Sequence, residues 1–329
     1  MVGSNSLFNP DTSTLKNCAD KAGEATGLPD IAALANDVNQ QCNETTYLIQ
    51  AVAETCPVVT GKPRPIKAIV GPQLFYKTLE EDLHGIFMVP GDLPTTVQSA
   101  TYQIEAQKGA GIEWDATLKV SGRDEQSAYT PKIQQIKANE STYIYNGSND
   151  RAMINMRKEA KAQGVDSVKV WACSLACYTR NMLTAGGADV EGTYVWMQFL
   201  PFEEADENEM LQAYVDSVGA DKVDSFGAQA FQAGLIFKQV IDQIVEEDGI
   251  NGITRARMLE VLEGLGEVDA EGWMGTKDLR GVSNCFLVMQ VKGGKFVRAH
   301  PEEKGTMDCS DDNVVTITLD PAAEAAKIK

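Results

Sequence analysis

Gly85-Ile86-Phe87-Met88-Val89-Pro90-Gly91-Asp92-Leu93-Pro94-Thr95-Thr96 opens a stretch, running to Phe199, in which one pattern recurs: a short apolar run, a polar or glycine-bearing turn, then helical spacing. A short apolar run bounded by turn formers reads as a buried strand. Val97, Ala100, Tyr102, Ile104 and Ala106 then read as a helix that stops at Gly109-Ala110-Gly111. The pattern returns with a strand at 116–120, a helix at 129–138 carrying Pro131 in its first turn, and a strand at 143–145. A helix marked by Ala152, Met153, Met156 and Ala160 follows, then a strand at 168–171, a helix at 179–185 and a strand at 193–200. Strands alternating with helices require crossover connections, so the sequence predicts an α/β fold with a mostly parallel sheet and helices on both faces.

Ligands of such sheets bind outside the carboxyl ends of the strands. The loops there are 90–96, 146–150 and 172–178, rich in hydroxyls and amides and without histidine. That composition suits hydrogen bonding to a small polar solute better than proton transfer, although turns favour Asn, Asp, Gly and Ser for conformational reasons as well.

The 329 residues suffice for two domains. No apolar run reaches the roughly 18–20 residues that span a bilayer, and Met1-Val2-Gly3-Ser4-Asn5-Ser6 has neither the basic start nor the apolar centre of an export signal. A net charge of −18 argues against nucleic acid or an anionic membrane surface as a partner. The acidic run 203–209 reads as a solvated loop and helix start. Seven cysteines are scattered along the chain, and only His84 and His300 could join them as metal ligands, so neither a metal site nor a cofactor is expected. The cysteines instead point to an exported protein with disulfides, the odd one being unpaired or paired with a cysteine outside these 329 residues. Cys18 with Cys42 and Cys285 with Cys309 are the expected pairs, each closing a loop of roughly 24 residues.

Outside the repeat, 9–14 reads as a turn and helix cap. Leu15, Cys18, Ala19 and Ala22 mark a helix, and 28–34 and 66–70 are strands. Residues 46–53 fit either extended or helical chain. Helices are expected at 210–218, 225–245 and 254–265, a hairpin at 286–297 around Gly293-Gly294, and a strand at 314–319.

This order of parts resembles a type I periplasmic solute-binding protein, in the branch of leucine/isoleucine/valine receptors of ABC importers. The likeness is carried by the strand and loop at 85–96, the helix before Tyr143-Ile144-Tyr145-Asn146-Gly147, the Ala162-Gln163-Gly164 helix end and the Gly186-Gly187 and Val190-Glu191-Gly192-Thr193-Tyr194 link. The long alanine-rich helix and Gly272-Trp273-Met274-Gly275 add to it. The resemblance implies two lobes, each a mostly parallel sheet with helices on both faces. Residues 1–82 and 203–280 form lobe 1, 83–202 and 281–300 form lobe 2, and 301–329 a C-terminal tail. Two strand–helix units that open lobe 1 in the family have no counterpart, so lobe 1 is expected to be N-terminally incomplete and the export signal absent from this chain.

By position in the loops, the resemblance implies ligand contacts at Thr12, Ser13, Leu34 and Asn36 from lobe 1. From lobe 2 it implies Thr95, Thr96, Ser148, Asn149 and Ser174. It further implies an extracytoplasmic, monomeric receptor. Such a receptor captures an amino acid or other small polar compound and delivers it to an ABC permease, without chemistry. The competing reading is an enzyme on a doubly wound sheet with Cys173 or Cys177 as nucleophile, which lacks an evident base.

Overall fold

The computed structural model describes residues 1–6, 13–35, 38–56 and 61–328. Strand β1 (Val2–Ser6), helix α1 (Ser13–Lys16), β2 (Asp30–Ala35), α2 (Val38–Gln41) and β3 (Thr46–Leu48) open the chain, and the three strands form a parallel sheet in that order. Next come β4 (Arg64–Ile69) and α3 (Gly71–Leu79). The repeat follows as β5 (His84–Pro90), α4 (Pro94–Gly109), β6 (Glu113–Val120), α5 (Thr130–Ala138) and β7 (Tyr143–Asn146). It continues with α6 (Asp150–Ala162), β8 (Val170–Cys173), α7 (Arg180–Gly186) and β9 (Tyr194–Met197). Three helices, α8 (Glu209–Val218), α9 (Ser225–Asp248) and α10 (Arg255–Gly264), precede short strands β10 (Glu267–Val268) and β11 (Lys277–Asp278). The hairpin β12 (Leu287–Lys292) and β13 (Lys295–His300), strand β14 (Val314–Leu319) and α11 (Pro321–Ala325) complete the described chain.

The larger sheet has seven strands in the order β13-β12-β9-β8-β7-β5-β6. Strands β5 to β9 are parallel, and the β12–β13 hairpin joins β9 antiparallel. Gly293 and Gly294 turn that hairpin at φ 60° and 73°, a conformation that glycine adopts without steric cost. Alternation along β5 shows the two-sided core. Ile86 and Met88 pack with Ile133 of α5 and Met153 of α6, whereas Phe87 and Val89 pack with Tyr76 of α3 and Ile104 of α4. Since β6 and β7 flank β5, the chain leaves β5 and β7 toward opposite faces, and this reversal of strand order opens a crevice at their carboxyl ends.

The small parallel sheet packs Ile31 of β2 and Tyr47 of β3 against a stripe of α9 that includes Ala233, Ile236 and Val240. Asp224 caps α9, its Oδ1 accepting from the N–H groups of Phe226 and Gly227 at 2.9 Å. Strand β14 pairs antiparallel with β4, and this two-stranded layer covers Tyr102 and Ala106 of α4.

Four expectations need correction. The helix expected from the stripe at 15–22 ends at Lys16, because the Asp20 carboxylate accepts from the N–H groups of Ala22 and Glu24 and folds the chain into a turn. Of the turn expected at 9–14, residues 9–12 lie outside the described residues. Helix α3, which patterning does not assign, starts through Gly71-Pro72, with the proline in the first turn where its missing N–H has no partner to lose.

The acidic run is not wholly solvated. Glu204 and Arg298 form a buried pair with side chains 2% and 6% exposed. Arg298 Nε donates to Glu204 Oε1 at 2.6 Å and Nη2 donates to Oε2, while the Gly305 N–H also reaches Oε2 at 3.0 Å.

The fourth correction concerns the disulfides. Cys285–Cys309 forms as expected, but Cys42 pairs with Cys56 across a Cα–Cα distance of 5.1 Å, and Cys18 is free. Thr55 Oγ1 donates to Gln41 Oε1 at 2.6 Å and so carries residue 56 beside residue 42. Cys18 instead lies against Arg255, whose Nη1 approaches its Sγ at 2.7 Å. Cys173 and Cys177 are bonded to each other and fully buried, which removes the nucleophile of the enzyme reading.

Replacing Cys285 and Cys309 together by alanine is expected to lower stability by about 3 kcal/mol, from the freedom returned to the unfolded loop. The urea midpoint measures it, and an unchanged midpoint would refute the estimate.

Candidate functional site

A cavity of about 360 Å3 lies between the two parallel sheets. One wall is built from the carboxyl ends of all five parallel strands of the larger sheet: Asp92 and Leu93 after β5, Gly122 after β6, Ser148 after β7, Ser174 after β8 and Gln198 after β9. The facing wall comes from the small sheet, with Leu34 and Ala35 ending β2 and Gln50-Ala51-Val52 following β3. Trp196 and Phe226 contribute aromatic surface. A volume near the low end of the roughly 300–1,000 Å3 usual for ligand sites fits a small molecule.

The wall is held by groups beneath it. The fully buried Asn146 accepts from the Ser148 N–H at 3.1 Å and donates to Asn149 O at 2.9 Å, tying 147–149 into one conformation. Asn149 Oδ1 in turn caps α6 by accepting from the Ala152 N–H at 3.1 Å. A Cβ on Gly122 would stand 2.3 Å from Asn149 Nδ2, so a side chain there would push aside the amide that caps α6. The Cys173–Cys177 disulfide clamps the loop that carries Ser174, Leu175 and Ala176. Below, the Trp196 indole N–H donates to Tyr145 OH at 2.9 Å, and that phenol donates to Gln103 Oε1 at 2.8 Å. Burial pushes the Tyr145 phenol well above its usual range, so it stays a neutral donor.

The wall has no Lys, Arg or His among the described residues. Its carboxylate is Asp92, which accepts from Ser121 Oγ at 2.8 Å. The two histidines lie elsewhere, each beside an aspartate: His84 with Asp115 and His300 with Asp308. The arrangement can bind and enclose a small molecule.

Of the residues expected to contact a ligand, Leu34, Thr96, Ser148, Asn149 and Ser174 line the cavity. Thr95 sits in the first turn of α4 and does not line it. Ser13 opens α1, and Thr12 and Asn36 lie outside the described residues. Sequence reading missed Gln50, Gln198, Trp196 and Phe226. The carboxyl-end rule would have reached Gln198 had the last strand been stopped at Met197, but the apolar run to Leu200 hides that boundary.

A profile described as periplasmic binding protein matches residues 86–295. The chain belongs to the periplasmic binding protein family. The family is extracytoplasmic. Among solved structures, this periplasmic binding protein is similar to the leucine-binding protein LivK of Thermotoga maritima MSB8. The two share 11% identity and a TM-score of 0.66, covering 88% of this chain and 75% of that one. It is similar also to a branched-chain amino acid ABC transporter protein from Thermus thermophilus with bound valine, at 14% identity and a TM-score of 0.61, covering 86% and 73%. A solute-binding protein from R. palustris in complex with benzoate gives 13% identity and a TM-score of 0.60, covering 84% and 74%. No curated protein matches the chain in sequence. Among the described residues, no helix is long and apolar enough to cross a membrane.

Proposed function

We propose that this periplasmic binding protein is a monomeric extracytoplasmic receptor that captures one small solute in the cavity between its sheets and hands it to an ABC-type permease. The observation that carries the reading is the convergence of five strand ends on one wall with the ends of two strands facing them, since a cleft bounded by both sheets is what two lobes closing on a ligand require. Residues 1–82 and 203–280 act as lobe 1, and 83–202 and 281–300 as lobe 2, except that β4 and α3, which pack on α4 and β5, go with lobe 2. A ligand that touches both walls favours the closed state through its contacts there, because only differential affinity shifts such an equilibrium. That closed state is the form a permease would read. Leucine, valine and benzoate, named for the similar proteins, are small enough for the cavity and define the scale of solute to test.

Thr96, Ser148 and Ser174 are proposed as ligand contacts. Each alanine variant is expected to weaken a bound solute by about 1–3 kcal/mol, the usual cost of leaving a buried partner unpaired. Native mass spectrometry of the purified protein identifies a retained solute, and calorimetry gives its affinity for each variant. Unchanged affinity in all three, with losses at a remote control such as Lys295→Ala, would refute the proposed site.

A further inference from the structure

Two polar groups in the wall have no partner. Gln50 and Gln198 are 7% and 5% exposed, both line the cavity, and the amide Nε2 of each lacks a hydrogen-bond partner. The other two wall glutamines are engaged: Gln41 donates to Ala35 O at 2.6 Å and accepts from Thr55, and Gln103 accepts from Tyr145. Gln50 Oε1 also has its partner, accepting from Gln229 Nε2 at 2.6 Å. What remains is a pair of amide donors, one on each wall. An unpaired buried donor is unfavourable by about 1–3 kcal/mol. The last side-chain torsion of glutamine is soft, so a small rotation presents either amide to the cavity.

The surrounding charge restricts what those donors can meet. Helix N-termini at the cavity would ordinarily favour an anion. Here, however, Asn149 caps α6, Asp224 caps α9, and the Asp92 carboxylate lies two residues ahead of α4. The net charge is −18, an anionic head would meet no basic side chain in the described wall, and at the uncapped N-terminus of α4 it would stand beside the Asp92 carboxylate. A cationic head would find Asp92 alone, which is exposed and already held by Ser121.

Resting on the receptor reading, we infer that the solute is uncharged. It carries a carbonyl or hydroxyl acceptor read by Gln50 and Gln198, on an apolar body packed against Trp196, Leu93 and Leu175. Gln50 and Gln198 are then the specificity-determining residues.

Two trios of probes matched in body and differing in head test this by calorimetry: benzamide, benzoate and benzylammonium, then isovaleramide, isovalerate and isoamylammonium. The amides are expected to bind at least about tenfold tighter than their charged counterparts, one hydrogen bond's worth of discrimination. Gln198→Leu and Gln50→Leu should each erase that advantage. Gln198→Glu, nearly identical in shape, should transfer it to the ammonium probes, which a purely structural glutamine would not do. A carboxylate preference in the wild type, or an amide preference that survives in both leucine variants, overturns the inference while leaving a solute receptor standing. If none of the six probes binds and native mass spectrometry finds no retained solute, the receptor reading falls and the inference with it.

Discussion

Glu204→Ala is expected to cost about 3–5 kcal/mol of stability, the penalty typical of stranding one partner of a buried ion pair. The deletion leaves the Arg298 guanidinium enclosed with only carbonyl acceptors, among them Thr306 O at 3.0 Å, and frees the Gly305 N–H. Replacing both partners by apolar residues of similar volume, Glu204→Leu with Arg298→Met, removes the isolated charge and should recover much of the loss. Urea midpoints for the single and double variants measure the difference. A single-variant loss below about 1 kcal/mol would mean that water reaches the pair and that its burial has been overstated.

The second large effect is a pH dependence centred on Lys277. Its side chain is 3% exposed and its ammonium donates to Leu48 O at 3.0 Å, at the end of β3 behind the Gln50–Val52 wall. Burial lowers its pKa from 10.5 to about 7, against the opposing pull of Asp278 and Glu54. The folded protein therefore releases this proton at a pH well below that at which the unfolded chain does. Between pH 7 and 10.5 the unfolded chain binds more protons, so stability rises with pH across that window, while below pH 7 the burial penalty is fully present. The gain over the window is on the order of 4–5 kcal/mol at most. Lys277→Met removes the titrating group, so the wild type should gain stability relative to the variant as the pH climbs from 7 to 10. Parallel curves across that range would show that the lysine stays solvated.

The central repeat was legible because each buried strand is a run of apolar residues between turn formers. Ile86 to Val89 has to be strand wherever it lies, and the helical spacing that runs through Ala233, Val240 and Ile244 announces α9. Half the cavity followed from the same pattern, since knowing where a parallel strand ends fixes which loop faces the crevice, as for Ser148 and Ser174. The rest depends on partners far away in sequence. Nothing near Cys42 says that Thr55 and Gln41 will bring Cys56 to it, so loop length favoured the wrong pair. Nothing in the acidic run distinguishes Glu204 from its neighbours until Arg298 arrives from a hairpin almost 100 residues later. Gln50 and Gln198 escaped for a related reason. A glutamine beside a strand is unremarked in sequence, and it becomes a candidate ligand group only when its neighbours fail to satisfy it.

The pairing of β4 with β14 has a consequence for the birth of the molecule. These strands are separated by roughly 250 residues, so at about 5–20 residues per second of synthesis β4 leaves the ribosome roughly 10–50 s before its partner exists. For that interval Ile66 and Ala68, which end up against Ile317 and Leu319, have no strand to cover them. A nascent chain in that condition presents a bare edge to whatever it meets until β14 has been made.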